Sequence, residues 1–438
     1  MKKYDTYKDS GNQWIGQVPE HWEILPIKYC AELFTGNSIS DRDKENYLDS
    51  TDAIPYIATK DINAQTLLAD YENGMYTKKE DASFKIASKG STLLCIEGGS
   101  AGRKKTYLTE DVSFVNKLCC FTAMDNMSGK YLYYYINSNE FVETFNNHIT
   151  GLIGGVSLSS LVNFKSPLPP LSEQQAIVEF LDKKTGQIDK SIALLETQKT
   201  DLQAYRQALI TETVTKGLNS NAPMQDSGIQ WIGEIPEHWK IKKSSYIFDI
   251  IGSGTTPKSD NTAYYIEDGE FWLQTGDLND GLITNTTKRI SSLAFQDYNL
   301  QKYPIGSIVI AMYGATIGKL GLLGIPTATN QACCVLYADE KVQSNKYSFY
   351  LFSAAKREII NSANGGGQPN ISQQIIRDFR LPTPPLSEQQ AIADYLDKKT
   401  NDIDAALMQI DTQIADLQAY RTALISEVVT GKIDVRNQ

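Results

Sequence analysis

Two stretches of the chain carry an apolar residue at every seventh position. A strict seven-residue period over five repeats is typical of long helices that form a coiled coil. Ile192 and Tyr205 in the first stretch, and Leu407 and Tyr420 in the second, are expected to widen each apolar stripe. The helix-pair packing residues predicted on this basis are Leu181, Ile188, Leu195, Leu202, Leu209, Leu396, Ile403, Ile410, Leu417 and Leu424.

Local chemistry predicts where these two helices begin and end. A glutamine lies three residues after a serine in both stretches, Gln175 after Ser172 and Gln390 after Ser387, which is the spacing of an N-terminal capping box. Gly217 and Gly431 are expected to end the helices. Each helix then has roughly 40 residues and a length of about 60 Å. An apolar stripe of this length needs a partner, and the simplest one is the other helix, packed antiparallel in the same chain. The alternative is a coiled coil that serves only for dimerisation and sets no distance between other parts of the protein.

The chain is also a tandem repeat. Asp9–Trp22 reads DSGNQWIGQVPEHW and Asp226–Trp239 reads DSGIQWIGEIPEHW. A second pair of blocks follows in the same order, since PLSEQQAIVEFLDKKT begins at Pro170 and PLSEQQAIADYLDKKT at Pro385. LQAYR then recurs in both helices. Each half of the chain therefore has one plan, and the parts between the motifs differ.

Two variable stretches, Glu23–Lys165 and Lys240–Arg380, lie between these motifs. Short apolar runs that end at glycine predict buried strands, and Tyr-rich segments with helical spacing predict helices. The strands are expected near residues 93–96 and 308–312, and the helices near 130–145 and 345–360. VNKLCCFTA and TNQACCVLYA read as matched landmarks, with the Cys-Cys pairs aligned.

These patterns predict an α+β fold with two globular α/β domains in tandem. The domains are separated by two long helices that pack as an antiparallel intramolecular coiled coil with pseudo-two-fold symmetry. The expected boundaries are 1–165 for the first globular domain, 166–221 for the first helical spacer, 222–380 for the second domain and 381–438 for the second spacer.

Composition excludes several classes of protein. With 41% hydrophobic residues among 438, the chain is not disordered as a whole, and we expect no membrane segment. The six cysteines form no CxxC pair and only three histidines are present, which argues against a zinc site and favours reduced, buried thiols. His21 and His238 sit beside tryptophans in the repeated motif and are interpreted as structural. No phosphate-binding, nucleophile-elbow or metalloprotease motif occurs, so we predict no catalytic residue and no metal site.

Net charge first argues against nucleic acid as a partner, because it is −10. The charge is uneven, however. Lys240–Arg380 has 14 cations and 12 anions, and Glu23–Lys165 has 14 and 18. Binding needs only a local basic face, so we expect weak DNA binding by the isolated chain, with partners supplying much of the positive charge.

The loops after the predicted strands contain glycines, cations and side-chain amides. Exposed backbone amides and cations suit phosphate contacts, and Gln or Asn amides can read adenine in the major groove. The alternative is that these loops are ordinary solvated turns. The DNA-binding candidates are Lys60, Arg103, Lys104, Lys105, Thr255, Thr256, Lys258, Lys288, Arg289, Tyr313, Lys319, Gln368 and Asn370.

The whole layout resembles the specificity subunit of Type I restriction–modification systems. The WIG-x-x-PEHW motifs, the two PPLSEQQAI-x-x-x-LDKKT…LQAYR helices and the two divergent domains carry this resemblance, which extends over essentially the whole chain. It implies that each variable stretch is a target-recognition domain for one half of a bipartite double-stranded DNA sequence. The helices would set the gap between the half-sites.

The resemblance also implies partners. Two methyltransferase subunits would dock on the helices, and restriction (translocase) subunits would join them in a prokaryotic cytoplasm. S-adenosylmethionine, ATP and Mg are expected on those partners and no cofactor in this chain, which would be non-catalytic. The alternative function is a two-domain coiled-coil adaptor or scaffold that does not bind DNA.

Overall fold

The computed structural model describes residues 2–151, 154–363 and 369–436, which form two compact units. Unit 1 comprises Met1–Glu196 and Asp411–Gln438, and unit 2 comprises Thr197–Ile410. Each unit therefore contains one globular domain together with part of both long helices. The predicted domain boundaries separate the globular parts from the helices, and they stay a prediction.

Unit 1, in the part that the structure describes, has twelve short strands and three short α-helices before the first long helix. Its strands are β1 (Tyr7–Asp9), β2 (Gln17–Pro19), β3 (Glu23–Pro26), β4 (Ala31–Thr35), β5 (Ala53–Ile57), β6 (Tyr76–Lys78), β7 (Ile86–Ala87), β8 (Thr92–Cys95), β9 (Lys105–Tyr107), β10 (Val112–Phe114), β11 (Leu118–Ala123) and β12 (Lys165–Leu168). Its helices are α1 (Gly129–Ile136), α2 (Asn139–Asn147) and α3 (Leu158–Leu161), after which the long helix α4 (Leu171–Lys216) begins.

Unit 2 has a similar order, with a helix inserted between its seventh and eighth strands and one longer helix in place of the first two helices of unit 1. Its strands are β13 (Met224–Asp226), β14 (Glu234–Pro236), β15 (Lys240–Lys243), β16 (Ile250–Ser253), β17 (Tyr265–Leu273), β18 (Gly281–Ile283), β19 (Lys288–Ile290), β20 (Ile308–Ala311), β21 (Leu320–Leu323), β22 (Ala328–Thr329), β23 (Cys333–Tyr337) and β24 (Arg380–Thr383). Its helices are α5 (Ser292–Asp297), α6 (Asn345–Asn361) and α7 (Gln373–Asp378), followed by the long helix α8 (Leu386–Val429).

Two small sheets form the centre of each globular domain. In unit 1 their strand orders are β4-β11-β8-β9 and β6-β5-β10-β7, with β5 parallel to β10. In unit 2 they are β16-β23-β20-β21-β18 and β19-β17-β22, with β17 parallel to β22. The tandem α/β fold class is therefore confirmed, including the predicted strands at residues 93–96 and 308–312. The segment near residues 130–145 forms two helices, α1 and α2, because Asn137 ends the first and Ser138 caps the second.

Each variable stretch begins and ends in the same place. β3 pairs antiparallel with β12, so that Glu23 lies opposite Leu168 and Pro26 opposite Lys165. β15 pairs with β24 in the same way. A two-stranded ladder thus closes each globular domain at its base, and the sequence between the two strands can vary without moving the ends.

A carboxylate at the start of each long helix joins the two repeated motifs. In unit 1, Oε1 of Glu173 lies 2.7 Å from His21 Nε2, and Oε2 accepts a hydrogen bond of 3.0 Å from Trp22 Nε1. In unit 2, Glu388 makes the same two contacts with His238 and Trp239, at 2.7 and 3.0 Å. A carboxylate only accepts, so each imidazole Nε2 carries the proton. The histidines are structural, as predicted.

The next repeated residues hold the helix against the globular domain. Gln174 Oε1 accepts from Ser128 N at 2.7 Å, and Gln389 Oε1 accepts from Ser344 N at 2.9 Å. About two helical turns later an aspartate in each unit accepts bonds from a lysine and a tyrosine of the domain, and the tyrosine hydroxyl also lies near a threonine of the helix. These contacts are Lys130, Tyr134 and Thr185 around Asp182, and Lys346, Tyr350 and Thr400 around Asp397.

The two long helices pack antiparallel within each unit. In unit 1 the beginning of α4 faces the end of α8, and Arg421 Nε donates to Asp189 at 2.9 Å. In unit 2 the end of α4 faces the beginning of α8, and Arg206 Nε donates to Asp404 at 3.0 Å. Buried tyrosine hydroxyls tie the domains to the last turns, from Tyr131 to the Val429 carbonyl and from Tyr347 to the Val214 carbonyl.

The predicted stripe residues all face inward to some degree. Six of them are buried and the remaining four are half-buried. The buried ones are Leu181, Ile188, Leu396, Ile403, Ile410 and Leu424, and the half-buried ones are Leu195, Leu202, Leu209 and Leu417. Ile192 and Leu407 are half-buried as well. Tyr205 and Tyr420 do not widen the stripe, because 56% and 49% of their surfaces are exposed.

The predicted capping boxes are also wrong. The helices begin at Leu171 and Leu386, one residue before the serines, because the carbonyls of Pro170 and Pro385 accept the first backbone bonds. Gln175 instead bonds to Glu179 along the helix. The predicted ends are confirmed, since Gly217 and Gly431 follow the last turns with φ of 77° and 72°.

We expect removal of the Glu173 carboxylate to destabilise unit 1. Glu173→Ala leaves the buried Trp22 indole N–H and the Tyr4 hydroxyl without their acceptor, which should lower the free energy of unfolding by about 2–4 kcal/mol. Urea unfolding followed by tryptophan fluorescence measures the change. Gln175→Ala, two residues along on the exposed face, is the control and should change it by less than about 0.5 kcal/mol. Equal effects of the two substitutions would contradict this account.

Candidate nucleic-acid interface

Four loops meet at one edge of the unit 1 domain, and we call them rim 1: residues 36–40, 58–62, 96–104 and 115–117. β4 and β8 both run antiparallel to β11, so both end where β11 begins. β5 and β10 are parallel and end at the same edge. Backbone bonds of 3.0 Å join the loops, from Val115 N to the Ile57 carbonyl and from Ile96 N to the Lys117 carbonyl.

The same topology in unit 2 forms rim 2, which comprises residues 254–258, 274–278, 312–319 and 330–332. β16 and β20 end where β23 begins, and β17 and β22 are parallel. Asn330 N donates to the Leu273 carbonyl at 3.0 Å, and Met312 N to the Ala332 carbonyl at 2.8 Å. Segment 284–287 joins this rim, because Thr287 N donates to Asp277 at 3.0 Å.

The glycine loop after β8 and its counterpart after β20 have the same backbone. Gly98 and Gly102 have φ of 81° and 73°, and Gly314 and Gly318 have 82° and 76°. A Cβ on Gly102 would lie 2.9 Å from Phe145, and one on Gly318 would lie 2.6 Å from Ile360. Only glycine fits at these second positions, which fixes the direction of the cation that follows, Arg103 in one loop and Lys319 in the other.

Rim 1 is basic. Its loops contain Lys60, Arg103, Lys104 and Lys117 against two carboxylates, those of Asp61 and Glu97. The Asp61 carboxylate already accepts a hydrogen bond of 2.8 Å from the Ala58 backbone N–H.

The geometry of these cations is partly fixed. Lys104 Nζ donates to the Thr59 carbonyl at 2.8 Å and lines a groove of about 580 Å³ together with Lys60. Burial raises the pKa of the Cys95 thiol, whereas the Lys104 and Lys117 charges act in the opposite direction, so both ammonium groups lie near that thiol. Arg103 donates to the Gly99 carbonyl within its own loop.

Lys105 does not belong to this surface. It lies in β9 with 6% of its surface exposed, and its Nζ donates to the Ile136 carbonyl at 2.9 Å. Burial lowers the pKa of Lys105 to about 8. The interpretation of Lys105 as one of three exposed cations is therefore wrong, because β9 is covered by α1, whose Ile136 carbonyl accepts the hydrogen bond from the ammonium group.

Rim 2 brings together most of the candidates from the second half. Thr255 and Lys258 are exposed, and the Thr256 hydroxyl donates to the side-chain carbonyl of Gln331. Tyr313 is exposed, and its backbone forms an isolated antiparallel β-bridge with Asn370. Lys319 is half-buried at the end of the glycine loop. Gln368 lies outside the described residues.

Lys288 and Arg289 lie at the border of this rim. Lys288 pairs with Trp272, one residue before β17 ends, and its Nζ lies 5.5 Å from the centre of the Tyr265 ring. The Arg289 guanidinium lies 4.3 Å from the centre of the Phe271 ring. Both residues line a groove of about 530 Å³, with Lys288 exposed and Arg289 half-buried, and each cation lies over an aromatic ring.

Sequence reasoning missed three exposed rim residues, Asn116, Lys117 and Gln331. They lie in the short connections between β10 and β11 and between β22 and β23. From the sequence, these segments served only to align the two halves of the chain, because the Cys-Cys pairs that follow them are the more prominent feature. All six cysteines are buried with free thiols, as predicted.

Within residues 2–151, 154–363 and 369–436, no group of three or more His, Cys, Asp or Glu side chains could hold a metal ion. The helices in that part of the chain are too short or too polar to span a membrane.

The sequence of the chain is similar to a known protein family and to proteins of known role. A family model described as "Type I restriction modification DNA specificity domain" matches residues 19–204 and 236–414. The chain is 27% identical to the type I restriction enzyme MjaVIII specificity subunit of Methanocaldococcus jannaschii, over 96% of this chain and 95% of the relative. It is 22% identical to the EcoKI specificity subunit of Escherichia coli, over 95% and 90%.

Two solved structures share the fold. One, described as "Structural basis underlying complex assembly and conformational transition of the type I R-M system", has a TM-score of 0.74 at 16% identity and covers 95% of this chain and 99% of its own. The HsdS subunit of Thermoanaerobacter tengcongensis has a TM-score of 0.53 at 16% identity, with 95% and 98% covered.

The position of Lys105 predicts an unusual pH dependence. Because the pKa of Lys105 falls to about 8 in the folded chain, the unfolded chain binds more protons between that pH and about 10.5, and stability should rise with pH in this window. Lys105→Met should lack this increase, which amounts to at most about 3 kcal/mol. Urea unfolding of both proteins at pH 7 and 9.5 measures the difference. If Lys105→Met folds normally but loses DNA affinity, Lys105 is a DNA ligand and this assignment fails.

Proposed function

We propose, because the chain belongs to the family of type I restriction modification DNA specificity proteins, that it is the non-catalytic DNA-recognition subunit of such a system. In this proposal each unit reads one half of a bipartite double-stranded DNA target. One observation carries it: both units present a rim of four loops with the same backbone plan and different side chains. Such a pair of rims suits one task performed on two different sequences.

The chemistry of the rims supports DNA as the ligand. Lys60, Arg103, Lys104 and Lys319 are cations in the loops of the two rims, and they can neutralise phosphates without reading sequence. Thr, Asn, Gln and Tyr side chains on the same rims can contact base edges. Positioning and reading groups thus occur together in each unit.

The acidic net charge of −10 does not oppose this proposal, because cations outnumber carboxylates within the loops of rim 1, and rim 2 contains Lys258 and Lys319 against Asp277. It does predict that the isolated chain binds DNA weakly and that partners complete the positive surface. We assign S-adenosylmethionine, ATP and Mg to those partner subunits and none of them to this chain.

The gap between the half-sites is part of the proposal. α4 is continuous over 46 residues, and its residues belong partly to unit 1 and partly to unit 2. A continuous helix does not change its length when either rim changes, so the spacing of the target would be inherited separately from its sequence.

The helices also offer a candidate surface for partners. Among the repeated residues, Glu173, Gln174, Asp182 and Arg206 have structural contacts, as do their counterparts in α8. Tyr205 and Tyr420 recur at equivalent positions and are nevertheless 56% and 49% exposed. Because each unit carries one of these tyrosines, we propose that two copies of one partner dock here, the methyltransferase subunits. Restriction subunits would then join this complex in a prokaryotic cytoplasm.

Exchange of one variable stretch tests the function. Replacing residues 240–380 by the corresponding stretch of an unrelated family member requires the new stretch to pair with β24 and to contact both long helices as Ser344 and Tyr347 do. With partner subunits present, long-read sequencing of cellular DNA should show a methylated motif changed in one half and retained in the other. A change in both halves, or in neither, would contradict one reader per unit. A complex that assembles but modifies no DNA would favour the scaffold function.

Docking can be tested on the exposed tyrosines. Tyr205→Ala should weaken the binding of one methyltransferase subunit at least about 30-fold, as expected for an aromatic residue central to an interface, and the double variant with Tyr420→Ala should weaken both. Native mass spectrometry of the complex counts the bound copies. Leu194→Ala is the matched control, because Leu194 is 60% exposed on the same helix and Gln409 replaces it in the second repeat. Loss of binding in the control would place the interface elsewhere.

A further inference from the structure

The strand registers show which residues of the two rims are equivalent. In unit 1, Cys95 at the end of β8 lies opposite Leu118, and in unit 2, Ala311 at the end of β20 lies opposite Cys333. Likewise Ile57 pairs with Phe114, and Leu273 with Thr329. Each connection between these paired positions has three residues, 115–117 and 330–332.

This register corrects the alignment based on the Cys-Cys pairs by one residue. Cys119 matches Cys334, whereas Cys120 matches Val335. The exposed residue at the centre of each connection is therefore Asn116 in rim 1 and Gln331 in rim 2. Both carry a side-chain amide, and the sequence alignment hid this by pairing Asn116 with Asn330.

A glycine on the neighbouring loop packs against each connection. A Cβ on Gly36 would lie 1.9 Å from the Phe114 carbonyl oxygen, and one on Gly254 would lie 1.7 Å from that of Thr329. Each glycine thus packs directly against the backbone that precedes the connection, and a side chain at the glycine would not fit between them. This close contact fixes the backbone that carries each amide.

The two amides differ in how they are held. The Thr256 hydroxyl donates to the Gln331 carbonyl and leaves the amide N–H₂ and one lone pair of that oxygen available. Asn116 makes no hydrogen bond to the described residues and lines a groove of about 600 Å³ with Glu97 and Gly155. The shorter side chain opens into a groove, and the longer one is steadied by a neighbour.

We propose that Asn116 and Gln331 are equivalent specificity-determining residues, each reading one adenine in the major groove of its own half-site. The inference rests on the DNA-recognition function proposed above and names the residues that discriminate. An amide carbonyl accepts from adenine N6 while the amide N–H₂ donates to N7, and no other base pair offers this combination. Thr256 is a positioning residue that acts through Gln331.

The experiment changes the amide in one rim and reads the methylated motif. With partner subunits present, Gln331→Arg should replace one adenine by guanine in the second half-site, because a guanidinium donates twice to guanine O6 and N7. Gln331→Ala should accept more than one base at that position, with discrimination reduced about 5- to 150-fold. Asn116→Ala should do the same in the first half-site.

Matched variants separate reading from positioning. Lys258→Ala, on the same rim, should weaken modification of all sites equally and leave the motif unchanged, as a phosphate contact does. Thr256→Val should reduce discrimination at the position read by Gln331 alone, and Thr256→Ser should restore it.

The outcomes distinguish the two levels of the argument. If the unaltered complex modifies no motif that depends on this chain, the proposed function fails. If it modifies a split motif and both Gln331→Arg and Gln331→Ala retain that motif at every position, only the adenine-reading inference fails. If Gln331→Arg modifies no DNA, a degenerate position in the Gln331→Ala motif supports the inference, and an unaltered one overturns it.

Discussion

One carboxylate in each unit organises the rest of the structure. Glu173 and Glu388 stand in the first turn of a long helix and accept hydrogen bonds from the His and Trp of the preceding motif. Removing such an acceptor leaves a buried indole N–H unsatisfied, so these two motifs cannot vary independently. This coupling explains why WIG-x-x-PEHW and PPLSEQQ recur together while the stretch between them has diverged.

The same arrangement frees the rims to change. Each recognition domain begins and ends in a two-stranded ladder, and its contacts to the long helices come from a few repeated residues such as Tyr131 and Tyr347. The rims lie at the other ends of different strands, where only the glycine positions and a few backbone bonds are fixed. Stability and specificity therefore depend on largely separate sets of residues.

Much of the fold could be predicted from the sequence because it depends on periodicity and repetition. The seven-residue stripe identified both helices, and Gly217 and Gly431 marked their ends. The failures were local. Ser172 had the residue types of a capping box, but the Pro170 carbonyl starts the helix one residue earlier. Tyr205 fitted an apolar stripe by type, although its hydroxyl-bearing ring is exposed.

The candidate site was harder to predict, because exposure and register are not visible in one sequence. Lys105 follows two other cations and is buried beneath α1. Asn116 and Gln331 were hidden by a one-residue shift that only strand pairing reveals. The cations after the glycine loops were found, since a strand, a glycine turn and a basic residue occur in that order in both halves.

This chain is proposed to determine which DNA sequence a DNA-modifying complex recognises. The most direct test is long-read detection of adenine methylation in cells that express the partner subunits, with and without this chain. The account predicts one split motif, with two specified parts and a fixed gap, that is present only with the chain. Methylation that is identical in both cells, or a motif without a gap, would contradict it.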